Sequence, residues 1–92
     1  MTDCSFKIKD TSSIVSPGLV VFRDVMDANL KEMLREAGDL SRLRPHCKTH
    51  KMASVTKIQL DLGITKHKCA TFAEAEMLAS AGVKDILLGY NL

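Results

Sequence analysis

The chain has no tryptophan, one tyrosine and three phenylalanines in 92 residues. None of these rings is interleaved with its main basic stretch, so the aromatic platforms that stack on nucleic-acid bases are missing. A net charge of +2 and a pI near 8.5 are also too mild for the electrostatic footprint of a nucleic-acid binder. Cysteine is scarce, and Cys4, Cys47 and Cys69 are odd in number and irregularly spaced. That pattern argues against a disulfide framework and for reduced thiols, with the cytoplasm as the expected location. The start of the chain, MTDCSFKIKDTSS, lacks the apolar core of a secretory signal, and no run approaches the length of a membrane span. No membrane role is expected. Low-complexity tracts are absent, and 46% hydrophobic with 26% charged residues is a globular composition. Ninety-two residues make one domain at most, and a chain of this size buries only roughly 60–65% of its unfolded surface.

A further absence is local. No Asp or Glu occurs between Asp39 and Asp61, and inside that gap lies RLRPHCKTHK, residues 42–51. At the period of two of an extended strand, Arg44, His46, Lys48 and His50 fall on one side, with Leu43, Pro45, Cys47 and Thr49 on the other. Strands buried in an α/β sheet are normally apolar on both faces, so an unopposed basic face suits a site for an anion or a reactive lysine. The alternative is a solvated loop or edge strand whose charges only keep it soluble.

Around this stretch the chain reads as alternating strands and helices. Residues 1–15 form a leader without periodicity, and Ser16-Pro17-Gly18 closes it as a turn. Leu19-Val20-Val21-Phe22 reads as a short strand. A helix follows, with Asp24 as N-cap, an apolar stripe of Met26, Leu30, Met33, Leu34 and Ala37, an Asp27–Lys31 surface pair, and Gly38 as the stop. After the basic strand, a helix over 53–62 turns Val55, Ile58 and Leu62 inward and ends at Gly63. A strand over 66–70 leads into Thr71-Phe72-Ala73-Glu74, a capping box in which each side chain satisfies the other residue's free N–H. That helix carries Ala75, Leu78 and Ala79 to Gly82, and residues 85–90 read as a buried strand. The methionines fall at helical spacing and read as core. Cys69 reads as a small buried hydrophobe.

Strand starts recur every 20–25 residues or so, the rhythm of parallel βα units shared by doubly wound sheets and (β/α)8 barrels. A barrel takes roughly 250 residues. The expectation is therefore an α/β fold with parallel strands that is the N-terminal fragment of a longer protein, or a chain that folds by self-association. In both architectures ligands bind at the C-terminal ends of the strands, where Lys48 falls. Burial and nearby positive charge favour a neutral, nucleophilic lysine, and Arg44, His46, His50 and Lys51 supply such a field, which also attracts phosphate. That combination points toward pyridoxal 5′-phosphate held on Lys48. His46 and His50 are the other candidates for lining the pocket, and Tyr90 and Asn91 lie where the last strand opens to the ligand face. A zinc site from His46, Cys47, His50, His67 and Cys69 is disfavoured, because Cys47 faces away from the histidines on a strand and the spacing matches no zinc knuckle.

The segment RLRPHCKTHK, the start SPGLVV and the later CATFAEAEMLASAGVKDILLGYNL resemble the N-terminal part of the D-threonine aldolase and D-serine dehydratase family, fold-type III pyridoxal-phosphate enzymes related to alanine racemase. The likeness covers residues 16–92. It implies an incomplete (β/α)8 TIM barrel of the alanine racemase type, with Lys48 carrying the cofactor as a Schiff base and Lys51 as its rival. It implies a lyase acting on a D-3-hydroxy amino acid, homodimeric at full length. The phosphate-binding loops, the group facing the pyridine nitrogen and the ligands of any divalent metal would lie outside this chain, and these 92 residues alone are expected to lack turnover. Two other readings remain: a non-catalytic pyridoxal-phosphate barrel protein of cofactor homeostasis, and a cofactor-free interaction fragment.

Overall fold

The computed structural model describes residues 12–13 and 18–89. Helix α1 spans Arg23–Ala37 and turns its apolar stripe inward, with Leu30 buried and Met26, Met33, Leu34 and Ala37 half-buried. It begins one residue before Asp24. Phe22, in extended backbone, is the N-cap, and Asp24 lies in the first turn, where its charge meets the positive end of the helix dipole. Asp27 pairs with Arg23 at 3.0 Å, so the expected pair with Lys31 is not formed. Gly38, at φ 74°, stops the helix and donates its N–H to Leu34 O.

Two strands, β1 (Lys66–Cys69) and β2 (Asp85–Leu88), pair in parallel, with Lys66 opposite Asp85 and Cys69 opposite Leu88. On the other side of β1 the chain around His46 runs alongside it. His46 forms a parallel bridge with Lys68, Cys47 N–H donates to Lys68 O at 2.9 Å, and Lys68 N–H donates to Pro45 O at 2.9 Å. Helix α2 (Ala53–Asp61) carries the chain from this segment to β1, and α3 (Phe72–Ala81) carries it from β1 to β2. The second passage is strand, helix, parallel strand, and the first reaches β1 in the same sense from the bridged His46 segment, a geometry common to doubly wound sheets and barrels.

Two expected strands are corrected. Leu19, Val20 and Val21 are exposed and stand in no sheet, because β-propensity is expressed only where a partner strand takes the backbone bonds. The basic stretch is extended only around His46. A short 3-10 turn occupies Leu40–Arg42, and residues 48–50 form a turn closed by Lys51 N–H donating to Cys47 O at 2.8 Å. Residues 1–11, 14–17 and 90–92 lie outside the description, so the assignments to most of the leader, to the Ser16-Pro17 turn and to Tyr90 and Asn91 do too.

The core sits between the sheet and helices α2 and α3. Cys47, Cys69, Leu78 and Val83 are buried together, with Leu60, Ala75, Met77, Ile86 and Leu88 packed on them. Ile64 is fully buried beside the start of β1. On α2 the inward face is Val55, Thr56 and Gln59, whereas Ile58 is half-buried and Leu62 is exposed. Thr56 is tolerated there because its hydroxyl donates to Met52 O at 3.2 Å. Met26, Met33, Met52 and Met77 are half-buried rather than core, and Ala79 is exposed. Among the described residues no helix is long and apolar enough to cross a membrane.

Candidate active site

The basic stretch divides into three parts. Arg44 is a structural clamp: its guanidinium donates to His67 O at 3.0 Å and to Asp85 O at 3.3 Å, and pairs with the Asp85 carboxylate at 2.8 Å. It ties the His46 segment across β1 to β2 at one end of the sheet. His46 follows on the same face, and Cys47 on the opposite face is buried under the helices, as the alternation requires. Beyond Cys47 the alternation ends, because the chain turns.

Lys48 opens that turn and is exposed. Its backbone N–H donates to His46 Nδ1 at 3.1 Å, so the imidazole and the lysine are held together. Burial and the positive charges of Lys48, Lys68 and Lys51 hold the His46 pKa below the ordinary imidazole value, against the opposing charge of Glu74. With Nδ1 accepting from the backbone, the neutral ring carries its proton on Nε2. His50 is held in the same way, Nδ1 accepting from Met52 N–H at 2.9 Å, but at the start of α2. Its pKa is lowered by burial and by His67, which lies under the helices and 2.9 Å from Ile64 O through Nε2. The two histidines therefore sit in different surroundings, although a continuous strand would have put them on one face.

Lys51 closes the turn at φ 54°, a left-handed conformation that costs a non-glycine residue roughly 1–2 kcal/mol. The contacts of its side chain hold it there. Nζ donates to Lys48 O at 2.7 Å and lies 3.8 Å from the Glu74 carboxylate. This engagement distinguishes it from Lys48, whose ammonium makes no hydrogen bond or ion pair within the described residues.

Glu74 carries a role that the capping box did not suggest. Thr71 Oγ1 accepts from Glu74 N–H at 3.1 Å as expected. The Glu74 carboxylate, however, does not return to Thr71 N–H; it accepts from Ala70 N–H at 2.9 Å and from the Cys47 thiol at 3.7 Å. It is 4% exposed, and the Ala70 N–H holds its pKa below the usual carboxylate range despite burial, helped by Thr71, Lys51 and Cys47. The Cys47 thiol is pushed up to about 11 by burial and by the charge of Glu74, so it stays protonated and donates. Glu74 thus joins the start of α3 to the Lys48 turn. Its place as the last residue of the box was the available signal, but its partners 23 and 27 residues away were not readable.

A shallow cavity of about 220 Å³ lies beside Lys51 and Glu74, lined also by Thr71, Ala73 and Met77. Another cavity, about 400 Å³, is lined by residues of and before α1 together with Pro45 and Gln59, without Lys48, and is mostly apolar. Among the described residues no group of three His, Cys, Asp or Glu side chains is placed to hold a metal ion.

No family model and no solved structure gives a significant match to the chain. Curated proteins do match. Over 85 residues the chain is 35% identical to a 3-hydroxy-D-aspartate aldolase of Paracoccus denitrificans (strain Pd 1222), covering 86% of this chain and 21% of that protein. Over 78 residues it is 33% identical to a D-threo-3-hydroxyaspartate dehydratase of Delftia sp. (strain HT23), covering 84% of this chain and 20% of that protein. The chain spans about a fifth of the length of these relatives, and over that fifth it is similar to an aldolase and a dehydratase whose names both specify a 3-hydroxyaspartate.

Proposed function

We propose that this chain contributes the cofactor-holding lysine of a pyridoxal-phosphate-dependent lyase acting on a D-3-hydroxy amino acid, with a 3-hydroxyaspartate as the substrate class that the relatives favour. The observation that carries the reading is the Lys48 turn. It presents one exposed lysine amine, free of any acid or carbonyl among the described residues, at the C-terminal end of a segment paired to a parallel sheet. That is the end where ligands sit in parallel α/β folds. The fit to the cofactor is chemical: a free amine for its aldehyde, and the charges of Lys48, Lys68 and Lys51 around a neutral imidazole. When bound, the cofactor withdraws the electrons of a bond broken at the amino-acid Cα.

The residues of the chain have separate tasks. Lys48 supplies the amine that holds the cofactor. His46, fixed through Nδ1, offers Nε2–H as a donor beside it. His50, whose Nδ1 accepts from Met52 N–H, braces the start of α2. Lys51 braces the turn through Lys48 O, and Glu74 braces Lys51. An aldolase and a dehydratase differ in which bond to Cα or Cβ breaks, and both need the same tethering lysine.

The test is an absorbance spectrum of the chain with pyridoxal 5′-phosphate before and after borohydride reduction, with the modified peptide mapped by mass spectrometry. Label confined to Lys48 is expected. Label spread over several lysines, or no label, overturns the assignment.

A further inference from the structure

The face of the sheet that the helices leave open is built in rows. Pairing places Lys66 beside Asp85, and Lys68 between His46 and Leu87. In the first row both cations are engaged: Asp85 pairs with Arg44, and Lys66 Nζ donates to Ser41 O at 3.0 Å. The second row differs. Lys68 faces an imidazole on one side and a half-exposed leucine on the other, and its ammonium has no acid or carbonyl partner among the described residues. The carboxylate that acts on His46, Glu74, is 4% exposed and already engaged by Ala70 N–H, the Cys47 thiol and Lys51.

The course of the Lys68 side chain shows where its charge is carried. A Cβ at position 89 would overlap Lys68 Cε and lie 3.3 Å from Nζ. Gly89, whose N–H donates to Cys69 O at 2.9 Å, stands beyond the last pair of β1 and β2. Lys68 therefore runs over a glycine toward the C-terminal end of the sheet, the end at which Lys48 turns out of the His46 segment. Two unpartnered ammonium groups are delivered to one rim, and both act on His46.

We propose that Lys68, laid over Gly89, is an oxyanion-binding residue beside Lys48, taking a carboxylate or phosphate group of the molecule held there. The inference rests on the reading of Lys48 as the tethering lysine and adds a second residue to that site. The shared chemistry is a small oxyanion, from either the cofactor's phosphate or a dicarboxylic substrate. Lys66, on the same face, is set aside because its ammonium is held by Ser41 O at the other end of the sheet.

The experiment compares the full chain with Lys68→Met, Gly89→Ala and the control Lys66→Met. Direct binding of inorganic phosphate and of succinate is measured by titration, and borohydride-fixed labelling of Lys48 is measured with pyridoxal 5′-phosphate and with pyridoxal. Loss of one charge-assisted contact predicts about tenfold weaker oxyanion binding in Lys68→Met and Gly89→Ala, with Lys66→Met unchanged. If the phosphate is the ligand, the preference for pyridoxal 5′-phosphate over pyridoxal at Lys48 falls in the same two variants. If the carboxylate is the ligand, that preference stays and protection of Lys48 by succinate is lost. Equal oxyanion binding by the parent and Lys68→Met overturns the proposal. Oxyanion binding that depends on Lys68 without label on Lys48 upholds Lys68 and rejects the tethering role of Lys48, so the two failures are distinct.

Discussion

The two faces of the short sheet share the same strands and have opposite chemistry. Under the helices, Cys47, His67, Cys69, Ile86 and Leu88 are buried or half-buried, and the polar groups among them are satisfied internally, His67 by Ile64 O and the Cys47 thiol by Glu74. On the open face, Arg44 and Lys66 are used to hold the structure together, and Lys68, with Lys48 beyond it, is left with charge to spare. Strand alternation makes this division possible, since neighbouring residues can serve stability and ligand binding without competing. One contact crosses between the two regions. Glu74, on the covered side, holds Lys51, and Lys51 holds the carbonyl of Lys48.

The comparison is broken most severely from the covered side. Leu78 is fully buried in the central cluster, and Leu78→Ala is expected to cost about 2–5 kcal/mol of stability, read from urea unfolding. A substitution on the open face such as Lys68→Met should leave the urea midpoint close to that of the parent. Equal losses from both would show that the faces do not divide the work.

Acid and base sharpen the same contrast. His46, His50 and His67 have lowered pKa values, so each contributes stability that is full above the ordinary value near 6.5 and is lost as pH falls below it. Glu74, also lowered, adds a further loss below its ordinary 4.5. Cys47 is raised from 9.0 to about 11, so its contribution is full below 9 and is lost as pH rises toward 11. The melting temperature should therefore be flat between about pH 6.5 and 9 and fall on both sides. Cys69 is also raised, by burial and by the charge of Glu74, so Cys47→Ala should shrink the alkaline limb without abolishing it and leave the acid limb in place, and an unchanged alkaline limb would remove Cys47 as a cause.

The smallest effect belongs to the clamp in the first row of the open face. Arg44 and Asp85 are partly exposed, and Asp85→Asn leaves the two carbonyl bonds of Arg44 intact. A loss of under about 1 kcal/mol is expected by thermal denaturation. A larger loss would show that this row depends on ionic pairing rather than on the backbone carbonyls.

Much of the local structure was legible because its causes are local. Gly38 and Gly82 stop α1 and α3 at positive φ, and Thr71 caps α3 within three residues. The opposition of His46 and Cys47 on two faces, the strand at Lys66–Cys69 and the burial of Cys69 also read correctly. The errors fell where a distant partner decides. Leu19 to Val21 have strand propensity without a described strand to pair with, and the basic stretch leaves the extended state at Lys48, where Lys51 N–H closes a turn on Cys47 O and Lys51 Nζ meets Glu74, 23 residues later. Lys68 was passed over as one lysine in a short strand, since its meaning depends on Gly89 lying beside it.

The three helices, the strands β1 and β2, the glycine stops and the separation of apolar from basic residues were determined by the sequence alone, through propensities and periodicities that act within a few residues. The tertiary structure decided which lysine is free. Lys48, Lys51, Lys66 and Lys68 are the same residue type, and the positions of Glu74, the Lys48 and Ser41 carbonyls and Gly89 distinguish them, because an ammonium is engaged or left free by what lies within hydrogen-bond reach of it in space.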